Sequence, residues 1–170
     1  MDADEAISDL IGNAGDRLLR LAFQLCHDRS SAEDLVQQAL EQVYRRWRRH
    51  GTEVDHVEAY ARRSVVNEYL RRRRLRATTE LITETVPDVA NAAPETAVAE
   101  RDAMWRALGE LPARQRAALV LRYYEDLPDR DIAAVLDCRP ATVRSLIARG
   151  LQTLRCLVTT DSARLQGGAR

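Results

Sequence analysis

Apolar residues recur every three or four positions along most of this chain, and polar residues fill the positions between them. This period is that of an amphipathic α-helix, and no segment alternates strictly as a half-buried strand would. The pattern predicts helices over residues 15–26, 56–76 and 95–109. It predicts another helix after residue 29, where Ser30 and Glu33 have the spacing of a capping box. The fold class is therefore predicted to be all-α.

The helix after residue 29 has two contrasting faces. Its apolar stripe, which we expect to face a core, consists of Ala32, Leu35, Val36, Ala39, Leu40, Val43, Tyr44 and Trp47. The opposite face is polar and acidic and consists of Glu33, Asp34, Gln37, Gln38, Glu41 and Gln42. Taken alone, such a face is typical of an ordinary solvated helix.

The helix predicted over 56–76 ends in a run of arginines, since five of the six residues in 71–76 are Arg. Val57, Ala61, Val65 and Tyr69 form its apolar row at every fourth position. The following segment, 77–96, is rich in Thr, Ala, Pro and acidic residues and has no helical period. It is predicted to be a linker.

The segment 111–155 has the pattern of a helix-turn-helix. Pro112 is expected in the first turn of a helix, and a short helix is predicted over 128–136. A turn of Asp137, Cys138 and Arg139 follows, and Pro140 then opens a second helix. The second helix of such a motif enters the DNA major groove.

This second helix has a basic outer face. From residue 139 to 155 it contains four Arg and no acid, and Arg149 flanks the outer face. The outer face is formed by Ala141, Arg144, Ser145, Ala148, Gln152 and Arg155, and the inner stripe by Val143, Ile147, Leu151 and Leu154. The turn, the preceding helix and the absence of acid favour DNA contact over simple solvation.

Charge is distributed in blocks. The chain has 26 basic and 26 acidic residues, and every basic residue is Arg. The net charge is −6 over 1–44, +7 over 45–76, −5 over 77–100 and +4 over 101–170. This alternation predicts two surfaces that face nucleic acid, separated by an acidic tether.

The sequence offers no enzyme chemistry. It has no Gly-rich phosphate loop, no metal-ligand cluster and no nucleophile triad, so we predict a binding protein without catalytic activity, metal or cofactor. Cys26, Cys138 and Cys156 are expected to be buried, reduced thiols. The chain has neither a run of 18 apolar residues nor the start of a signal peptide, so we expect a soluble, intracellular protein with no membrane contact.

These patterns leave three classes of function open. The chain could be a promoter-specificity subunit, a stand-alone helix-turn-helix regulator or an adaptor built from helical bundles. A stand-alone regulator would bind duplex DNA tightly by itself, and an adaptor would not bind DNA at all.

Three segments in order, AEDLVQQALEQVYRRW, AYARRSVVNEYLRRRR and 111–155, resemble an extracytoplasmic-function sigma factor of bacterial RNA polymerase. The resemblance covers about 18–157 and is strongest to an actinobacterial branch of that family. It implies two small helical domains joined by an acidic linker and a cytoplasmic location. The implied division is a sigma region 2-like domain over 1–76, a linker over 77–96, a sigma region 4-like domain over 97–158 and a tail over 159–170.

The resemblance also implies partners and roles. Docking on the largest-subunit coiled coil of core RNA polymerase is assigned to Asp34, Gln37, Gln38 and Glu41, and the flap region is a second polymerase contact. Recognition of the −10 element and its single strand is assigned to Tyr60, Arg62, Arg63, Asn67, Arg71, Arg72, Arg73 and Arg74, with Tyr69 as a further candidate for base stacking. For both tyrosines a place in the core is an equally open alternative. Reading of the −35 element is assigned to Thr142, Arg144, Ser145, Ala148 and Arg149. An anti-sigma factor is a further expected partner.

Some positions depart from the usual family pattern, and these bear on promoter choice. They are Arg71, Pro128, Arg139, Pro140, Ala141 and Leu146. Arg71 stands where a small polar residue often helps to form the pocket for a flipped base.

Overall fold

The structure is a computed structural model that describes residues 3–50, 56–80 and 104–167. The helices are α1 (Ala3–Cys26), α2 (Arg29–His50), α3 (Val57–Glu80), α4 (Ala113–Tyr123), α5 (Asp129–Leu136) and α6 (Pro140–Gly167). Residues 104–110 are also helical, and the described residues contain no strand. The predicted all-α class is confirmed.

Helices α1, α2 and α3 pack together as an N-terminal module. Its core buries Leu21 and Leu25 of α1, Leu35 of α2, and Val65 and Val66 of α3. The predicted stripe of α2 faces this core, although Leu40 and Tyr44 are only half-buried. All six predicted polar residues of α2 are exposed on its opposite side.

The helix boundaries in this module differ from the predicted ones. Helix α1 begins at Ala3 rather than at residue 15. Gly12 and Gly15 weaken the local helix signal, but burial of Ala6 and Leu10 stabilises the extra turns. Helix α3 continues to Glu80, four residues beyond the predicted end at 76 and into the predicted linker. The rest of that linker, 81–96, lies outside the described residues, and so do residues 51–55.

The predicted capping box of α2 is wrong. The cap is Asp28, whose carboxylate accepts a hydrogen bond of 2.7 Å from the Ser31 amide. A hydrogen bond from the Ser31 hydroxyl, and then this bond from its amide, hold the pKa of Asp28 below its ordinary value. Glu33 pairs with Arg29 at 2.8 Å instead of bonding back to the chain at residue 30.

Helices α4, α5 and α6 form a C-terminal module with the predicted helix-turn-helix. Asp137 ends α5 in the left-handed region, with φ of 49°, and the Cys138 amide bonds back to the Ala133 carbonyl at 3.0 Å. The chain then re-enters a helix at Pro140, as predicted. Pro112 precedes α4 as its N-cap residue and does not lie in its first turn.

The two modules contact each other. Arg116 of α4 is 5% exposed and donates hydrogen bonds to the Gln24 carbonyl of α1, the shorter being 3.0 Å. The rings of His27 and Trp105 stack with centroids 4.6 Å apart. A carbonyl near the C-terminal end of α1 therefore receives a cationic donor from the other module, which is favourable for a helix end.

The expectation of three buried thiols is only partly correct. All three cysteines are free, but Cys26 and Cys138 are half-buried and Cys156 is exposed. Burial raises the pKa of the Cys26 thiol.

Within the described residues no group of side chains could hold a metal ion. No helix described here is long and apolar enough to cross a membrane.

A close contact between α4 and α6 gives the first testable prediction. A Cβ added to Gly150 would lie 2.9 Å from Cδ1 and 3.3 Å from Cγ of Leu119, which is itself buried. We expect Gly150→Ala to lower the free energy of unfolding by about 1–3 kcal/mol through overpacking. Urea unfolding measures the change.

Gly12→Ala in α1 is the matched control, because a Cβ there meets nothing within 4 Å. We expect that variant to gain about 0.5–1 kcal/mol from helix propensity. Equal stabilisation by both substitutions would show that α4 and α6 are not in close contact.

Candidate nucleic-acid interface

The second helix of the motif presents its predicted outer face to solvent. Thr142, Arg144, Ser145, Ala148 and Arg149 are all exposed along the first part of α6. The packing of Val143 in the core, at 0% exposure, orients this face outward. The structure thus brings the five predicted −35 residues together on one accessible surface.

Two of these side chains already have partners. Arg144 Nη1 lies 3.4 Å from Oδ2 of Asp129, at the first position of α5, while its side chain remains 64% exposed. Asp129 also pairs with Arg122. The Ser145 hydroxyl donates to the Ala141 carbonyl at 3.1 Å. Sequence analysis missed Asp129, although an acid in the first turn of a helix is a common signal.

Residues that depart from the family pattern have visible structural consequences. Pro128 is the N-cap of α5 and provides no side-chain cap. Pro140 is the first residue of α6, where its missing amide costs nothing. Leu146 is half-buried and packs against the core, so it belongs to the packed side of α6.

Helix α3 divides the predicted −10 residues among its faces. The spacing of three and four residues places Tyr60, Arg63, Asn67, Arg71 and Arg74 along one side of the helix. The three remaining arginines of the predicted set, Arg62, Arg72 and Arg73, lie on other sides. Because Arg63, Asn67, Arg71 and Arg74 are exposed, this side forms an open polar and cationic row.

The aromatic candidates have different environments. Tyr60 is half-buried, and the guanidinium carbon of Arg46 lies 5.2 Å from its ring centroid. Tyr69 is 4% exposed and belongs to the core. Burial also raises the pKa of its hydroxyl. Of the two roles left open for Tyr69, the structure supports the core role, because a buried ring has no free face on which a base could stack.

Arg62 is held by carboxylates from both modules. Its Nε lies 2.9 Å from Oε2 of Glu125, in the segment between α4 and α5, and its Nη2 lies 3.6 Å from Oε1 of Glu58. Only 19% of the Arg62 side chain is exposed. Sequence analysis missed the Glu125 pairing, because no local pattern connects the two residues.

Glu68 is a third acid whose role was not predicted from the sequence. Its side chain is 1% exposed, and it accepts bonds from Arg71 at 2.8 and 2.7 Å and from Arg72 at 3.1 Å. The hydrogen bond from Arg71 is the main reason that the pKa of Glu68 lies below its ordinary value, although burial opposes this. The spacing of three and four residues was a signal that could have revealed these pairs.

The predicted docking face lies on α2, away from the row on α3. Asp34, Gln37, Gln38 and Glu41 are all exposed. Gln37 and Glu41 also line a groove of about 650 Å³ between α1 and α2. The groove has an apolar floor of Ile7, Ile11, Leu19, Val36 and Leu40, and acidic side chains at its edges, namely Asp4, Asp16, Glu33 and Glu41.

The structure is thus an all-α protein with an exposed basic face on the second helix of a helix-turn-helix and a separate, exposed acidic face on α2. Comparison with known proteins identifies the family. Residues 10–79 match the family described as Sigma-70 region 2, and residues 101–154 match Sigma-70, region 4.

The chain is 35% identical to an RNA polymerase sigma-E factor of Streptomyces avermitilis over 141 residues, which are 82% of this chain and 78% of that protein. It is 33% identical to the ECF RNA polymerase sigma factor SigE of Mycolicibacterium smegmatis over 164 residues, which are 91% of this chain and 62% of that protein. The fold is similar to that of the sigma factor RpoE of Bartonella quintana, solved with the anti-sigma factor NepR. That likeness has a TM-score of 0.69 and 22% identity, and it covers 91% of this chain and 97% of that one.

The chain belongs to the extracytoplasmic-function sigma factors of bacterial RNA polymerase. Its function is to direct core polymerase to specific promoters and to initiate DNA-templated transcription. No finding favours a stand-alone helix-turn-helix regulator. The family consists of transcription initiation factors rather than catalytic enzymes.

The lowered pKa of Glu68 gives a prediction about pH. Because this pKa is lower in the folded chain than in the unfolded one, ionised Glu68 stabilises the fold above the ordinary value of 4.5. That stabilisation is lost as the pH falls from about 4.5 through the folded pKa. We expect Glu68→Gln to be less stable than the wild type at pH 7, and the difference to shrink below pH 4.5.

Urea unfolding at a series of pH values from 7 to 3 tests this expectation. Glu33→Gln is the control, because the pair that Glu33 forms with Arg29 is exposed and contributes little to stability. A difference between Glu68→Gln and wild type that stays constant across the series would contradict the prediction.

Proposed function

We propose that the two modules divide promoter recognition between them. A region 2-like domain over 1–76 docks on core polymerase and melts the −10 element, and a region 4-like domain over 97–158 reads the −35 element. Residues 77–96 are the acidic tether between them, which begins with the last turn of α3, and 159–170 are a tail. The observation that supports this division best is the separation of the basic faces of α3 and α6 from the acidic face of α2. The protein acts in the cytoplasm and has no catalytic activity of its own.

At the −35 element, α6 lies in the major groove. Arg144 and Arg149 read base edges or hold the backbone, and Ser145 and Ala148 allow close approach. Thr142 binds a phosphate near the N-terminal end of α6, where the helix dipole favours an anion. Asp129 holds Arg144 in a limited range of orientations before DNA arrives.

At the −10 element, the row on α3 binds the unpaired strand. Asn67 contacts a base, and the adjacent Arg63, Arg71 and Arg74 bind phosphates. Tyr60 stacks on a base after Arg46 moves off its ring. The remaining arginines, Arg62, Arg72 and Arg73, hold backbone phosphates beside this row. Arg62 does so only after its bond to Glu125 is broken.

Core polymerase docks on the face of α2 formed by Asp34, Gln37, Gln38 and Glu41, and the flap region contacts the C-terminal module. The acidic face matches a basic coiled coil of the largest subunit. Complementary charge of this kind speeds association and fixes the register of the partners.

An anti-sigma factor is a further proposed partner. The Bartonella quintana sigma factor was solved in complex with the anti-sigma factor NepR. In this chain the groove between α1 and α2 shares Gln37 and Glu41 with the proposed docking face. A protein bound in the groove would therefore exclude core polymerase.

Reconstitution with core polymerase on genomic promoter fragments tests the proposal as a whole. We expect transcripts that start at sites the core enzyme does not use alone. If folded protein produces no new starts, the proposal is wrong.

Arg144→Ala tests the role of α6. We expect the variant to lose its preference for the −35 motif by about 1–3 kcal/mol, or roughly 5- to 150-fold, with core binding unchanged. Transcription from templates with intact and scrambled −35 motifs measures this preference. Arg130→Ala is the control, since Arg130 is 84% exposed on the preceding helix, outside the proposed site. Loss of core binding in Arg144→Ala would show that the faces are wrongly assigned.

Charge reversal on α2 tests the docking face. We expect Glu41→Arg to weaken core binding about tenfold at low salt, because an acid facing a basic partner becomes repulsive. Fluorescence anisotropy with labelled sigma factor measures the affinity, and urea unfolding checks the fold. Asp9→Arg, at an exposed position of α1 outside the docking set, is the matched control. If both variants lose the same affinity for core polymerase, the change in net charge explains the effect and the docking face is wrongly assigned.

A further inference from the structure

Glu68 is a charged residue at a buried position of α3, where an apolar residue would be expected. It lies between the buried Val65 and Val66 on one side and the buried Tyr69 on the other. Burying a carboxylate is costly unless it is paired and hydrogen-bonded. A well-packed apolar residue is often as stabilising as such a buried pair. Fold stability is therefore a weak explanation for this acid.

The geometry around Glu68 fixes two consecutive arginines. Its carboxylate receives both Nε and Nη2 of Arg71 and the Nε of Arg72. From the other side, Gln42 of α2 approaches it at 3.4 Å. The carboxylate is thus anchored to the module core while it directs side chains that reach the surface.

The two arginines differ in what they offer a ligand. The side chain of Arg71 is 55% exposed and that of Arg72 only 23%. Arg71 also lies one helical turn from Asn67, on the same side of α3. A bidentate pair holds a planar guanidinium in a defined orientation, whereas a free arginine samples many rotamers.

We propose that Glu68 is a positioning residue that orders Arg71 and Arg72 and thereby sharpens selection of the −10 strand. This inference rests on the proposed function of α3. Glu68 acts in two ways. It presets the direction of the Arg71 guanidinium beside Asn67, and its negative charge offsets part of the attraction that the arginine run exerts on any phosphate backbone.

The proposal predicts that removing the Glu68 carboxylate increases the affinity for an unrelated single strand, whereas a purely structural role predicts no such increase. Removing the carboxylate frees two guanidinium groups, so binding to an unrelated single strand should strengthen and depend more steeply on salt. Binding to the correct strand should gain less, because Arg71 is no longer oriented. Selectivity therefore falls while overall affinity for single strands rises.

The test compares wild type and Glu68→Gln as holoenzyme, using oligonucleotides that carry the −10 strand of a promoter found by reconstitution or a scrambled version of it. Affinities are measured over a range of salt concentrations. We expect the ratio of the two affinities to fall about three- to tenfold and the scrambled strand to bind more tightly. Each extra phosphate contact should add about 0.7 to the salt slope. Asp9→Asn, which removes an exposed acid from α1, is the control for net charge.

Arg71→Gln provides a second variant that keeps the bond from Arg72 to Glu68. If Glu68 acts through Arg71, the effects of the two substitutions on selectivity should not add in the double variant. Additive effects would overturn the proposal, and so would a parallel loss of binding to both strands. If the wild type prefers the −10 strand and Glu68→Gln shows the same ratio of affinities for the −10 and scrambled strands, this inference is overturned while the proposed function stands. A wild-type holoenzyme without −10 preference would overturn the proposed function together with it.

Discussion

Helix α3 carries the constraint on which the rest of the structure depends. It must bury one side against α1 and α2, meet α4 and α5 of the other module, and still hold a dense run of arginines. Small and apolar residues such as Ala61 and Val65 make the packing possible, since both are fully buried. The arginines fall on its remaining sides, and Glu68 neutralises part of their charge from beneath the surface.

Pairing of an arginine with a nearby carboxylate recurs among the residues proposed to contact DNA. Arg71 is oriented by Glu68, Arg144 by Asp129, and Arg62 by Glu125. The chain has no lysine, so its basic side chains are guanidinium groups, whose planar shape suits bidentate binding of a phosphate or a base edge. Nearby carboxylates set that plane at the expense of part of the attraction for phosphate.

Local periodicity predicted most of what packs locally. The stripe of α2, the turn at 137–139 and the exposed face of α6 all follow from apolar spacing and turn residues. The start of α1 was missed because Gly12 and Gly15 weaken a signal that burial of Ala6 and Leu10 restores. The pairing of Glu68 was visible in its spacing from the arginines. Contacts between the modules could not be predicted, because they join residues that no pattern relates.

The contacts between the two modules leave some of the proposed binding residues accessible to a partner and occupy others. The proposed docking face on α2 is exposed in the arrangement seen here, so its side chains are not covered by the C-terminal module. Arg62 is different, because the guanidinium group that would hold a phosphate is bonded to Glu125. Contact of Arg62 with the −10 strand would therefore have to replace its ion pair with Glu125, which is one of the contacts between the modules. The hydrogen bond from Arg116 to the Gln24 carbonyl is another such contact, and Arg62 takes no part in it. The proposed role of Arg62 thus breaks one contact between the modules, whereas the exposed residues of α2 are accessible without breaking that contact.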